Sequence, residues 1–236
     1  MFISLEGADY SGKTSMSLIM KEYFESMGKT VTLTKEPGGT VVGTKIREML
    51  LNEDVVNDPL EVTTQIMLFT AARVHHIQTV IIPALIHGHV VISDRFIDST
   101  HVYQGLLFKK KEFIKQLLAI KEYNFLNVRP DYTFFFDINF DTMLERMNQR
   151  SDSNALDKKY AALKEAPIDC FKQHFYELNH KDYERIKIID ANQDIDTVKE
   201  TVLAVSSRCH MLHTTYVHRT PIDQHQTYIK KVLKLI

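Results

Sequence analysis

The sequence contains few cysteines and no long apolar run, and both shortages limit the classes of protein to which it can belong. Its two cysteines, Cys170 and Cys209, provide neither the paired spacing of a zinc site nor a disulfide framework. Such a chain suits a reducing compartment, so we expect a cytoplasmic protein. No apolar run approaches the roughly 20 residues that span a bilayer. The first residues resemble a strand, not a basic leader with an apolar stretch, so we expect no stable membrane association.

Net charge is also nearly absent. The sequence has 29 Lys and Arg residues and 30 Asp and Glu residues, which gives a formal net charge of −1. This balance argues against a protein that grips nucleic acid with its whole surface, so we expect no nucleic-acid partner. The sequence shows no internal repeat, low-complexity tract or interdomain linker, and 236 residues are enough for one sizeable domain.

Short apolar runs rich in β-branched residues alternate with helical patterns. Their continuous apolar character is typical of strands that are covered on both faces of a parallel sheet. The predicted strands are 1–6, 30–36, 89–94, 131–138 and 185–190. Because helices separate them, we predict an α/β fold with a five-stranded parallel sheet flanked by helices on both faces.

Helical periodicity fills most of the remaining sequence. After the first strand, apolar residues including Met16, Met20 and Met27 recur at helical spacing, and these methionines are predicted to pack in the core. A long helical zone covers about 59–87, where Pro83 is predicted to kink or restart the helix. Further helices are predicted near 40–51, 109–126, 139–149, 157–180 and 193–207.

The first strand leads into "GADYSGKT", which has the spacing of a phosphate-binding loop. Its two glycines let backbone N–H groups surround donor phosphates at a helix N-terminus. Lys13 is predicted to reach the β- and γ-phosphates, and the Thr14 hydroxyl to coordinate Mg²⁺. The predicted ATP-binding residues are Gly7, Ala8, Asp9, Tyr10, Ser11, Gly12, Lys13 and Thr14. This loop alone does not distinguish a hydrolase or a switch from a kinase.

Three further stretches narrow the function: "KEPGGT" (35–40), "MLFTAAR" (67–73) and "DRFIDSTHVYQG" (94–105). In this order and spacing, together with the loop, they resemble thymidylate kinase, strongly over about 1–150 and weakly over 185–200. The resemblance implies a P-loop nucleoside monophosphate kinase fold with a mobile lid. It also implies transfer of the ATP γ-phosphoryl to dTMP in dTTP synthesis, giving dTDP and ADP with Mg²⁺, in a homodimer that packs helices of the 59–87 zone.

Roles for several residues follow from the same resemblance. Asp94 ends a predicted strand, where a carboxylate can hold Mg²⁺, and Arg95 can bridge the donor and acceptor phosphates. Phe69 matches an aromatic that stacks on thymine, and Arg73 matches an arginine that hydrogen-bonds the base. The other predicted acceptor-binding residues are Pro37 in the turn, Arg47 at the monophosphate, Thr100 and Gln104 at the base edge, Tyr103 at the deoxyribose, and Asp9 near the sugar or the metal.

One position of the loop departs from the family. Some thymidylate kinases carry an arginine where this sequence has Tyr10, and others have glycine there and supply an arginine from the lid. We predict that the lid covers about 149–160 and that Arg150 is its catalytic arginine. Arg146, one turn earlier, serves as the neighbouring residue for comparison.

The C-terminal end differs in composition from the rest. Residues 1–207 are predicted to form the kinase-like domain, and 208–236 a helical extension with five Lys or Arg and one Asp. Apolar residues near its end fall on one helical stripe. We expect this extension to pack against its own domain or a partner subunit.

Two alternative functions remain open at this point. One is a kinase for another nucleoside monophosphate. The other is a non-catalytic nucleotide switch or assembly ATPase, which needs Lys13 and Asp94 but has no use for an acceptor site. Phe69, Arg73 and Tyr103 separate these readings, because a switch has no reason to build a base pocket.

Overall fold

A computed structural model of the protein describes residues 1–51, 60–119, 128–149 and 165–219, with side chains described through 215. It contains one parallel sheet with the order β2-β3-β1-β4-β5. Its strands are β1 (Phe2–Glu6), β2 (Val31–Lys35), β3 (Val90–Asp94), β4 (Tyr132–Asp137) and β5 (Ile186–Asp190). The predicted sheet is therefore confirmed, with β1 at its centre.

Burial follows the position of each strand in the sheet. The side chains of β1 are all buried, and Phe134, Phe135 and Phe136 of β4 are at most 2% exposed. By contrast, β2 is only half-buried, although the sequence predicted a buried strand. The reason is its place at the edge of the sheet, where one side has no neighbouring strand.

Apart from the short helix over 97–100, which no predicted zone covers, the described helices begin within the predicted zones. They are α1 (Lys13–Ser26), α2 (Val41–Leu51), α3 (Val62–His76), α4 (Ile82–Ile86), α5 (Ile97–Thr100), α6 (Lys111–Leu118), α7 (Phe140–Asn148), α8 (Ala166–Asn179) and α9 (Ile195–Arg219). In α1, Met16 and Met20 are buried as predicted. Met27 is 38% exposed, so its predicted core role is wrong, because α1 ends before the side chain can face the sheet.

Two π-helical segments interrupt the regular helices. The first, π1 (Ile77–Ile81), joins α3 to α4, and the N–H of Ile82 donates to the carbonyl of Ile77. Pro83 thereby lies in the first turn of α4, where a missing N–H costs little, which agrees with a restart at this proline. The second, π2 (His101–Leu107), continues α5 through the "DRFIDSTHVYQG" motif. The sequence pattern does not predict this helical segment.

The last described helix is longer than predicted. Instead of ending at 207, α9 continues to Arg219. Its buried side chains Val198, Val202, Ser206 and Cys209 form one stripe that continues past residue 207. Packing of this stripe therefore stabilises the helix beyond the predicted end. None of the described helices is long and apolar enough to cross a membrane.

Candidate active site

The phosphate-binding loop lies at the carboxyl end of β1, between the ends of β3 and β4. Gly7 and Gly12 have φ values of 144° and 90°, which favour glycine. A Cβ on Gly7 would come within 2.7 Å of the Phe136 carbonyl oxygen, so the backbone there is pressed against β4. The loop leads directly into α1 at Lys13, which gives the strand–loop–helix context of a phosphate site.

Lys13 lies inside this loop. Its Nζ donates to the Ala8 carbonyl at 2.6 Å and to Ser11 Oγ at 3.2 Å. Burial, reinforced by the nearby Arg95 guanidinium, lowers the pKa of Lys13 to about 8. The ammonium group is thus held at the centre of the loop, where a negatively charged phosphate would stabilise its charged form.

The two side chains that the sequence predicted to hold Mg²⁺ meet at the end of the loop. Thr14 Oγ1 donates to Asp94 Oδ2 at 2.5 Å, because β1 and β3 pair in a register that places Asp94 beside Leu5. A hydroxyl and a carboxylate are hard oxygen donors of the kind that Mg²⁺ prefers. The predicted pair of metal ligands is therefore in contact, and its chemistry fits magnesium.

Arg95 follows Asp94 in a left-handed backbone conformation, with φ of 71°. This turn aims its guanidinium back at the phosphate-binding loop. Its Nη1 donates to the Gly7 carbonyl at 2.9 Å and to Ser99 Oγ at 3.0 Å, and its Nη2 donates to Asp9 Oδ1 at 2.5 Å. Arg95 thus connects the phosphate-binding loop to the segment that follows β3.

Glu6, which sequence reasoning did not single out, holds this segment in place. It is fully buried, and its carboxylate accepts hydrogen bonds from the Phe96 N–H at 2.7 Å and from Ser99 Oγ at 2.6 Å. Burial, together with the nearby Asp98 carboxylate, raises the pKa of Glu6 to about 8. The only sequence signal is an acidic residue directly before the loop, in a strand whose other side chains are apolar or small.

One pocket extends from the loop toward α3. It contains all nine residues that the sequence predicted for acceptor binding, although they come from separate segments. Its lining consists of Asp9, Glu36, Pro37, Arg47, Leu51, Phe69, Arg73, Arg95, Phe96, Ser99, Thr100, Tyr103 and Gln104. Positive charge is present at both ends, with Arg95 and Arg47 near the loop and Arg73 at the far end.

Arg73, at the far end of the pocket, is only 3% exposed. Its Nε donates to Glu36 Oε2 at 2.7 Å and its Nη2 donates to Thr100 Oγ1 at 2.9 Å. The guanidinium also lies over the Phe96 ring, 5.5 Å from the centroid. These contacts fix the orientation of a buried cation at a site where a planar ring could meet it.

Two charged residues at the other end are also held in place. The Arg47 Nη1 donates to the Pro37 carbonyl at 3.1 Å, which joins α2 to the "KEPGGT" turn. Burial alone would raise the pKa of Asp9, but the positive charges of Arg95 and Lys13 outweigh it and lower that pKa. Asp9 is therefore an ionised acceptor between the two cations.

Comparisons with known proteins agree with this geometry. A sequence profile of the thymidylate kinase family matches residues 5–202. Thymidylate kinase from Mycoplasma capricolum subsp. capricolum is 40% identical over 207 residues, which cover 87% of this chain and 93% of that protein. The Rickettsia africae enzyme is 39% identical over 194 residues, or 81% of this chain and 89% of that protein. The chain belongs to the thymidylate kinase family.

Structural comparison gives the same result. The crystal structure of thymidylate kinase from Ehrlichia chaffeensis matches with a TM-score of 0.64 and 30% identity, covering 87% of this chain and 97% of that one. The predicted family, the α/β fold and the assignment as a nucleotide kinase are therefore confirmed.

Arg146 gives this member of the thymidylate kinase family a link that the sequence did not predict. Its Nη2 donates to the carbonyls of Ala191 at 2.7 Å and Gln193 at 3.2 Å, and its Nη1 donates to the Tyr10 carbonyl at 3.3 Å. Arg146 therefore joins the phosphate-binding loop to the loop after β5. Arg146 is therefore not an uninvolved neighbour suitable for comparison with Arg150, as the sequence suggested.

The departure at Tyr10 and the predicted lid have different outcomes. Tyr10 adopts a φ of 63°, and its side chain packs partly buried against the main hydrophobic core. Arg150, the predicted lid arginine, lies outside the described residues, as does nearly all of the predicted lid at 149–160.

Proposed function

We propose that this protein transfers the γ-phosphoryl group of ATP to dTMP, giving dTDP and ADP. The observation that carries the proposal is a continuous pocket that runs from Phe69 and Arg73 to Arg95 beside the phosphate-binding loop. A nucleotide switch would need the loop but not the pocket. The family relationship supports the same acceptor.

On the donor side, residues 7–14 bind the phosphates of ATP. The backbone N–H groups of the loop and the N-terminus of α1 provide positive potential, and the Lys13 ammonium adds a full charge. On binding, Lys13 exchanges its internal acceptors for β- and γ-phosphate oxygens. These groups hold the donor in place without any covalent intermediate.

Thr14 and Asp94 would hold Mg²⁺, directly or through its waters, because their oxygens already meet at 2.5 Å. When bound, Mg²⁺ neutralises phosphate charge and orients the donor oxygens.

Arg95 lies where the donor and acceptor phosphates approach each other. Its hydrogen bonds to the Gly7 carbonyl and to Ser99 preorganise the guanidinium before any substrate arrives. Preorganised positive charge stabilises the charge that moves between two phosphates, and holding them in line lowers the entropic barrier. Arg47, at the same end, completes the monophosphate site.

The far end of the pocket selects the base. The Nε and Nη2 of Arg73 are occupied by Glu36 and Thr100, while its Nη1 makes no hydrogen bond within the described parts of the chain. An arginine N–H can donate to the carbonyl of thymine. Cytosine has an amino group instead, which is itself a donor and cannot accept this hydrogen bond. Phe69 stacks on the ring, Gln104 contacts its edge, and Tyr103 lies against the deoxyribose.

The catalytic arginine of the lid is part of the proposal. We assign this role to Arg150, because Tyr10 has no positive charge to offer the transferring group and the lid of the family can provide one. This assignment depends on the sequence resemblance alone.

The enzyme is proposed to act as a cytoplasmic homodimer. Several apolar side chains of α2 and α3 are exposed on neighbouring helices, which suits a helix-packed subunit interface. They are Val41 (83% exposed), Val42 (46%), Met49 (37%) and Met67 (48%). A mass measurement in solution tests this assembly.

A coupled assay of ADP release tests the activity. The purified protein is offered ATP, Mg²⁺ and, one at a time, dTMP, dUMP, dCMP, dGMP, dAMP and their ribose counterparts. We expect dTMP to give the highest kcat/KM. Higher kcat/KM with another monophosphate would reassign the acceptor, and ATP turnover independent of all of them would reject the kinase assignment.

A further inference from the structure

Behind the base-binding end of the pocket, Glu36 connects two buried side chains of α3. Its Oε2 accepts from Arg73 Nε at 2.7 Å, and its Oε1 lies 2.9 Å from His76 Nδ1. Glu36 is 6% exposed and His76 only 2%, so water has little access to these contacts. His76 does not line the pocket, whereas Glu36 and Arg73 do.

The hydrogen-bond pattern assigns the tautomer of His76. The Glu36 carboxylate already accepts from the Arg73 guanidinium, and carboxylate oxygens accept hydrogen bonds. It follows that His76 Nδ1 carries the proton. His76 Nε2 lies 2.6 Å from Thr34 Oγ1 and can then accept from that hydroxyl. A chain of hydrogen bonds then runs from Thr34 through His76 to Glu36, and Glu36 also accepts a hydrogen bond from Arg73.

The backbone of the "KEPGGT" turn closes over this chain. A Cβ on Gly39 would come within 2.4 Å of His76 Nε2 and 2.6 Å of Thr34 Oγ1. No other residue fits at this point without displacing the imidazole, since these distances are too short for any real Cβ. The turn and the imidazole therefore hold each other in one arrangement.

We propose that His76 is a positioning residue for base recognition, acting through Glu36 to hold the guanidinium of Arg73 toward the acceptor base. The inference deepens the proposed function and depends on it, because it assumes that the pocket takes dTMP. With the imidazole in place, both Glu36 oxygens are engaged and the carboxylate cannot rotate. Without it, Glu36 and Arg73 can turn together, and the donor that faces the base moves.

Two polar substitutions separate the two ends of the imidazole. His76→Asn places an amide near the position of Nδ1 and can still donate to Glu36. His76→Gln reaches the position of Nε2 near Thr34 and leaves Glu36 without this donor. His75→Leu, at the adjacent and partly exposed residue of the same helix, is the control.

The assay measures kcat and KM for dTMP, dCMP and ATP with each variant and compares melting temperatures. We expect His76→Gln to lower the dTMP-to-dCMP ratio of kcat/KM at least tenfold, mainly by raising KM for dTMP. The ATP KM should change less than threefold. His76→Asn should recover most of the ratio, and His75→Leu should match the wild type.

Equal ratios for the Asn and Gln variants would overturn the inference, as would a Gln variant that loses kcat with both acceptors alike. If His76→Gln does not fold, His76→Leu, which also removes the donor to Glu36, takes its place: it must lower the ratio while His76→Asn keeps it. A wild-type protein that is inactive with dTMP would reject the proposed function itself. An active wild type with unchanged ratios would reject only the role of His76.

Discussion

Replacing Arg146 by alanine removes the link between the phosphate-binding loop and the loop that follows β5. The wild-type side chain donates to Ala191 at 2.7 Å and, over longer distances, to the carbonyls of Gln193 and Tyr10. These partners are 45, 47 and 136 residues away in the sequence, so the guanidinium is a long-range contact. We expect its loss to weaken both the fold and the binding of ATP.

The size of the effect follows from the three contacts. A hydrogen bond from a charged donor contributes about 1.5–3 kcal/mol, and only the bond to Ala191 has short geometry. The two longer bonds contribute little, because water can replace them where their carbonyls are accessible. We therefore expect the free energy of unfolding to fall by about 2 kcal/mol. For a chain of this size, this corresponds to a decrease in melting temperature of about 4–8 °C.

Thermal melting and steady-state kinetics test this expectation. From the resemblance to thymidylate kinases we expect the backbone of 190–192 to lie against the adenine of ATP. The ATP KM should then rise by about tenfold, or 1.4 kcal/mol. The dTMP KM should change by less than about twofold, since no hydrogen bond of Arg146 to a described residue reaches the acceptor pocket. Glu145→Ala, at the exposed neighbouring position, is the control and should stay within about 0.5 kcal/mol of the wild type.

Two results would refute this reasoning. The first is a melting temperature and ATP KM that both match the control, which would mean that the guanidinium contacts contribute nothing in solution. The second is a rise in the dTMP KM with an unchanged ATP KM, which would place the effect at the wrong site.

The remaining predictions concern the transfer site, the base, the lid and the extension. Lys13→Ala and Arg95→Ala should each lower kcat by about 10²–10³ with folding retained; near-wild-type turnover would contradict the mechanism. Arg73→Ala should lower the preference for dTMP over dCMP in kcat/KM, and an unchanged ratio would place base recognition elsewhere. Arg150→Ala should lower kcat by at least about tenfold with little change in dTMP KM, and a smaller loss would reject the lid assignment. Deletion from Cys209 onward should lower the melting temperature, because that side chain is 1% exposed in α9; unchanged melting and mass would contradict this role.

Local patterns were enough to predict much of the fold. The five strands and the phosphate-binding loop carry their signals within a few residues, since burial on both faces and the glycine spacing are both local. The nine residues predicted for acceptor binding belong to motifs of the family, and the structure brings them into one pocket. What each of them does on binding substrate stays a proposal.

The contacts that the sequence did not reveal are buried or long-range. In the sequence Glu36 is only part of a predicted turn, yet it pairs with residues 37 and 40 positions away. Glu6 and Arg146 likewise have partners from other segments. The hydrophobic periodicity of a sequence does not predict a polar pair that forms only after strands and helices have assembled. The π2 segment has a similar cause, because Tyr103 and Gln104, which line the pocket, interrupt its apolar pattern.

The buried pair of Arg73 and Glu36 has a consequence for how this enzyme can diverge. Breaking such a pair by replacing one partner costs about 3–5 kcal/mol, a large share of the roughly 5–15 kcal/mol that stabilises a typical domain. A lineage that drifts toward another base therefore loses stability at the first substitution and recovers it only when the second partner also changes. Descendants should keep both residues or exchange both, and intermediates with one of them should be rare.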